Sequence, residues 1–167
     1  MSAQQTPKRI GQAMWFAAWV LLLAMLYLFF ADQVEEKYNP NRDLVATSAQ
    51  EVTLKRNRAG HYLAPGQING QPVNFLLDTG ATTISIPQSV ADRLQLQPGI
   101  RQQVNTANGS INVYAAKLDS VSLGGITLRQ IQGHINPHMD GDTVLLGMSF
   151  MKNLEIRQKG DYLTLKY

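Results

Sequence analysis

The chain has 167 residues and a formal charge of +3, a length that suits one domain of about 120 residues plus an appended segment. After Leu44 there are 11 Lys/Arg against 8 Asp/Glu with no basic run and no aromatic–basic interleaving, so nucleic acid is not expected as a partner. Cysteine is absent, which excludes disulfides, thiol catalysis and Cys-based zinc sites.

Residues 1–12 form a short polar segment carrying Lys8 and Arg9. The nineteen residues from Ala13 to Ala31 hold no charge and include Trp15, Phe16, Trp19, Leu21, Phe29 and Phe30. As a helix this run covers roughly 28 Å, close to the ~30 Å hydrocarbon core of a bilayer. It is read as a single transmembrane anchor over 13–31. Basic residues precede it, whereas Asp32, Glu35 and Glu36 follow it. The positive-inside rule then leaves the N-terminus in the cytoplasm and carries the rest across. An inner (plasma) membrane with a periplasmic domain is the simplest setting. A cleaved signal peptide is the competing reading, but it needs small residues before the cut, and Phe29 stands two before Ala31.

Residues 32–50 are polar, include Asn39-Pro40-Asn41, and read as a linker without structure of its own. From residue 51 to 167 the pattern is all-β. Val52, Leu54 and Tyr62 alternate with polar residues, and Gln67-Ile68-Asn69-Gly70-Gln71 reads as a hairpin turn into a strand over Val73–Leu77. A strand over Thr82–Ile86 and a short helix over Pro87–Leu94 follow. Asn108-Gly109 marks a second hairpin, flanked by Val104, Ile111 and Val113. Further strands are expected at Ser120–Leu123, Ile126–Leu128, Ile131–Ile135 and Thr143–Leu146, then a short helix at Ser149–Asn153. Leu154–Arg157 and Tyr162–Lys166 pair around Lys159-Gly160-Asp161. Strands this short and numerous suggest a compact barrel.

The chemistry centres on Phe75-Leu76-Leu77-Asp78-Thr79-Gly80-Ala81-Thr82-Thr83. An acid directly after three apolar strand residues is unexpected, because a buried carboxylate is costly without a partner. Gly80 allows backbone N–H groups to approach the acid, and the Thr79 hydroxyl can brace a neighbouring loop. Taken alone, Asp-Thr-Gly is weak evidence and reads first as a strand ending in a turn.

The order of features is more specific. An apolar run into Asp-Thr-Gly-Ala, an Asn-Gly hairpin about thirty residues later, and Val144-Leu145-Leu146-Gly147 before a short helix together resemble the retropepsin-like aspartic proteases. The bacterial membrane-anchored members are the nearest in kind, and the resemblance runs from about Gly60 to Tyr167. It implies a single-lobed acid-protease barrel in which Asp78 is catalytic. Thr79, Gly80, Ala81, Leu145, Leu146 and Gly147 would support the active-site loop. Ala107, Asn108, Gly109 and Ser110 would form the tip of a flap over substrate. Aspartic proteolysis needs two carboxylates sharing one proton and one water, and this chain has one Asp-Thr-Gly. The resemblance therefore implies an endopeptidase working as a homodimer on a protein or peptide substrate, without cofactor or metal. A non-catalytic peptide-binding or dimerisation module on the same fold is the alternative. Where the viral enzymes carry acids after Asp-Thr-Gly-Ala and Arg after the later glycine, this chain has Thr82-Thr83 and Met148, so the viral salt bridge is not expected.

His134 and His138 are four apart, a zinc spacing only on a helix, and Pro137 between them breaks one. With Asp140 and Asp142 as the only nearby acids, a metal site is not expected. Met139, Met148 and Met151 read as packing or interface residues, and Tyr114 as either a cleft or a cross-strand packing residue.

Overall fold

The computed structural model describes residues 6–44, 48, 50–106 and 109–167. The chain divides into two compact units, Met1–Lys37 and Tyr38–Tyr167. The first is helix α1, Thr6–Tyr38, which continues past Ala31. Its apolar side chains, among them Trp15, Phe16, Leu21 and Phe29, are exposed. By length and composition Ile10–Tyr38 qualifies as a membrane span or as a signal sequence.

The second unit is mostly β. Strands β2 (Leu63–Ile68) and β3 (Gln71–Leu77) form the expected hairpin. Its turn residues Asn69 and Gly70 have φ of 51° and 77°, the left-handed pair that two-residue hairpin turns favour. β3 runs parallel to β8 (Thr143–Leu146), which meets β4 (Ile84–Pro87) on its other side. β4 is parallel to β7 (Ile126–Asn136), and β7 is antiparallel to β6 (Gly109–Leu123). The far end of β6 returns to β2, Gly66–Ile68 against Val121–Leu123, and this pairing closes the sheet into a barrel. β5 (Arg101–Thr106) pairs with the near end of β6 alone and forms a hairpin off the ring. Helix α2 (Gln88–Arg93) follows β4, and α3 (Met148–Met151) follows β8.

β8 explains its own sequence. It lies between two strands, so Val144 and Leu146 are fully buried and the run has little polar content. The barrel interior is filled by Phe75, Ile84, Ile86, Leu118, Ile135 and Phe150, each fully buried. The ends of the unit's sequence meet in a separate three-stranded sheet. In it β10 (Tyr162–Lys166) is flanked by β1 (Glu51–Lys55) and β9 (Glu155–Lys159). Val52, Leu54, Leu163 and Leu165 join this sheet to the same core.

Several details differ from the sequence reading. The strand expected over Thr82–Ile86 starts at Ile84, the separately expected Ser120–Leu123 is the end of β6, and of the expected turn Gln67, Ile68 and Gln71 belong to the flanking strands. β7 is one strand rather than two, with its ladder to β6 interrupted between Leu118–Ile131 and Ser120–Arg129. Gln130 sits at the interruption with φ of 55°, unusual for a residue with a β-carbon. The segment read as linker is also partly structured: α1 extends into it, and Asn41 is buried. The Asn41 carboxamide accepts from Lys55 N–H at 2.7 Å and donates to the Lys55 and Leu63 carbonyls at 2.9 and 2.7 Å. One amide side chain thus substitutes for a strand partner at the end of β1. Polar composition had suggested free chain, and the same polarity is what serves these backbone groups.

Candidate active site

Asp78 follows the last residue of β3 and, partly exposed, lines a cleft of about 1120 Å³. The parallel register Leu76–Leu145 and Leu77–Leu146 brings β8 alongside, and Asp78 N–H donates to the Leu146 carbonyl at 3.2 Å. Beyond Asp78 the chain turns back on itself: Ala81 N–H reaches the Asp78 carbonyl at 3.3 Å, and Gly80 N–H donates to Asp78 Oδ1 at 2.8 Å. A β-carbon on Gly80 would lie 3.2 Å from that oxygen, so the absence of a side chain allows the close approach. Asp78 Oδ2 has no hydrogen-bond partner among the described residues.

The loop is held from the other side by the start of α3. Met148 N–H donates to the Ala81 carbonyl at 2.8 Å, and Ser149 N–H to the Thr82 carbonyl at 2.9 Å. Gly147 passes so close that a β-carbon there would strike the Thr83 carbonyl and lie 2.6 Å from the Ala81 carbonyl. Gly147→Ala is therefore expected to lower stability by about 1–3 kcal/mol through overpacking against backbone that cannot give way. Thermal unfolding of the full chain checks this, and an unchanged melting temperature would contradict the packing described.

The structure brings Asp78, Gly80, Ala81, Leu145, Leu146 and Gly147 together as one loop assembly. Thr79 is different. It is exposed and makes no hydrogen bond to the described residues. The β5–β6 hairpin contributes Val104, Thr106 and Ile111 to the same cleft as Asp78. At its tip Thr106 Oγ1 donates to the Gly109 carbonyl at 2.8 Å, and Ser110 Oγ to Asn105 Oδ1 at 2.6 Å. Ala107 and Asn108, expected at the flap tip, lie outside the described residues.

Sequence reasoning missed part of the wall. Thr83, Gln132 and His134 line the cleft, and Thr83 Oγ1 is 2.7 Å from His134 Nδ1. Burial holds the His134 imidazole below its ordinary pKa and favours the neutral ring. The alternation Gln132, His134, Asn136 along β7 was the available signal, since it puts polar side chains on the face away from the core. His138 instead sits in the turn after β7, its N–H donating to Asn136 Oδ1 at 2.9 Å. Tyr114 packs against the core, and Met151 is fully buried.

Comparison with known proteins agrees with this geometry. The profile of the gag-polyprotein putative aspartyl protease family matches residues 64–153. An uncharacterized protein from the cobV 5′ region of a Sinorhizobium species is 31% identical over 92% of this chain and 73% of its own length. One from Rickettsia prowazekii (strain Madrid E) is 26% identical over 90% of this chain and 70% of its own. The crystal structure of a retropepsin-like aspartic protease from Rickettsia conorii superposes with a TM-score of 0.60 at 32% identity, covering 70% of this chain and 90% of that one. By its profile match and its likeness to a solved retropepsin-like protease at 32% identity, this chain belongs to the retropepsin-like aspartic protease family.

Proposed function

We propose that this chain is an aspartic endopeptidase whose active form is a homodimer, each copy supplying Asp78. The observation that carries the reading is the Asp78 carboxylate, partly exposed in an open cleft with Oδ2 unpartnered among the described residues. In the dimer two such carboxylates share a water. One takes its proton as the oxygen attacks the scissile carbonyl carbon, and the other, protonated, donates to the carbonyl oxygen. The tetrahedral adduct then collapses, the C–N bond breaks, and the leaving nitrogen takes the proton. The Thr79 hydroxyl, exposed and without a hydrogen-bond partner among the described residues, supports the same reading, since it is available to the facing loop of a second copy. Substrate would lie extended between the β5–β6 hairpin and the Asp78 loop, held by main-chain hydrogen bonds. Cleavage of a peptide library by the full chain, set against Asp78→Asn, is the direct test.

The reading includes an uncleaved membrane anchor over 13–31 and an extracytoplasmic catalytic domain over 51–167. Lys8 and Arg9 before the apolar run and the acids after it support that orientation. A tag placed after Tyr167 is expected to be digested by protease added to spheroplasts. A tag protected until the membrane is broken would reverse the orientation.

A further inference from the structure

The cleft wall beside the Asp78 loop carries its own chemistry. β7 and β6 are in register at Gln132–Lys117 and His134–Ala115, and β4 adds Ser85 opposite His134. Residues two apart on a strand share a face, so Gln132, His134, Ala115 and Lys117 form adjoining rows on one surface. All four line the cleft. Lys117 is exposed and has no ion-pair partner among the described residues. Among the cleft-lining residues it is the one amine and Asp78 the one acid. His134 is tied through Nδ1 to Thr83, and its Nε2 has no partner among the described residues. The backbone beneath is fixed, with Ser149 Oγ donating to the Gln132 carbonyl at 2.8 Å and accepting from Ile84 N–H at 3.2 Å.

We propose that this wall selects an acidic side chain, Asp or Glu, of the bound peptide, with Lys117 as its charge partner and His134 and Gln132 as hydrogen-bond donors. The inference rests on the reading of the cleft as a peptide site and names the substrate class it favours. A carboxylate at Nε2 sets the imidazole tautomer. Nε2–H donates to it, and Nδ1 then accepts from the Thr83 hydroxyl. A neutral ring, which burial favours here, is sufficient for that role. Lys117 adds Coulombic attraction without having to leave an ion-pair partner among the described residues. Asp78 repels a carboxylate close to the scissile bond, so the acidic residue belongs at a position removed from the cut. In a two-fold dimer the wall occurs twice, and the preference is expected on both sides of the cut.

The test uses the full chain in detergent micelles and peptides with about four positions on each side of the cut fixed in turn as Glu, Gln or Lys. At one position per side Glu is expected to exceed Gln by roughly fivefold to tenfold in kcat/KM, with Lys poorest. Lys117→Glu is expected to invert that order. The same peptides are titrated by fluorescence anisotropy against the Asp78→Asn chain, which reads binding without cleavage. Asp78-dependent cleavage indifferent to Glu, Gln and Lys at every position overturns the acidic pocket and leaves the protease reading standing. Binding that favours Glu, with no cleavage by wild type, supports the pocket and overturns the protease reading. Neither cleavage nor binding overturns both.

Discussion

Replacing Asp78 by Asn is expected to lower peptide cleavage by about a thousandfold or more while leaving the fold and its melting temperature essentially unchanged. The two halves of that expectation come from different atoms. The carboxamide oxygen of Asn can still accept from Gly80 N–H, the bond that Asp78 Oδ1 makes at 2.8 Å. The backbone bonds from Asp78 N–H to Leu146 and from Ala81 N–H to Asp78 do not involve the side chain at all. Loop geometry is therefore preserved. What disappears is the capacity to take a proton from water, because an amide is not a useful base at any working pH. Peptide turnover measured beside thermal unfolding separates the two. A folded Asn variant retaining activity within tenfold of wild type would remove Asp78 from the chemistry.

The Asp78 loop was legible in the sequence because its determinants are short-range or directly chemical. Three apolar residues running into an acid, Gly80 beside it, and the apolar Val144-Leu145-Leu146-Gly147 run each carry a local reason for their identity. The Asn69-Gly70 turn was legible for the same reason, since its positive φ values restrict which residues fit. The parts that escaped are set by contacts between distant segments. A barrel was expected, but that β2 and β6 are the strands that close it depends on where a long strand ends up, and no local period encodes it. The Thr83–His134 bond spans 51 positions, and from sequence His134 drew notice only for its spacing to His138. Asn41 likewise reads as a loop residue until the end of β1 is placed beside it. Long-range pairing decides these, whereas propensity and turn chemistry decide the others.

Mixing wild-type chain with the Asp78→Asn chain is expected to suppress activity far beyond dilution, the second large effect. Each chain carries one Asp-Thr-Gly, so a heterodimer holds one carboxylate where the proposed chemistry needs a base and a proton donor together. With free exchange and a tenfold excess of the variant, about one wild-type chain in eleven keeps a wild-type partner, and rate per wild-type chain falls about elevenfold by mass action. The soluble domain, freed of residues 1–44, should respond to concentration as well. Anchored chains meet in two dimensions at a high effective concentration, whereas free domains must associate from bulk solution. Its rate per chain is expected to fall on dilution and to recover in part when an unrelated dimerising helix replaces residues 1–44. Rate per chain followed through a dilution series, alongside sedimentation, gives the comparison. Rate that stays constant in a preparation sedimenting as monomer, together with mixing that only dilutes, would eliminate the shared pair of carboxylates. A single chain would then have to perform the hydrolysis with Asp78 as the one acid among the residues lining its cleft.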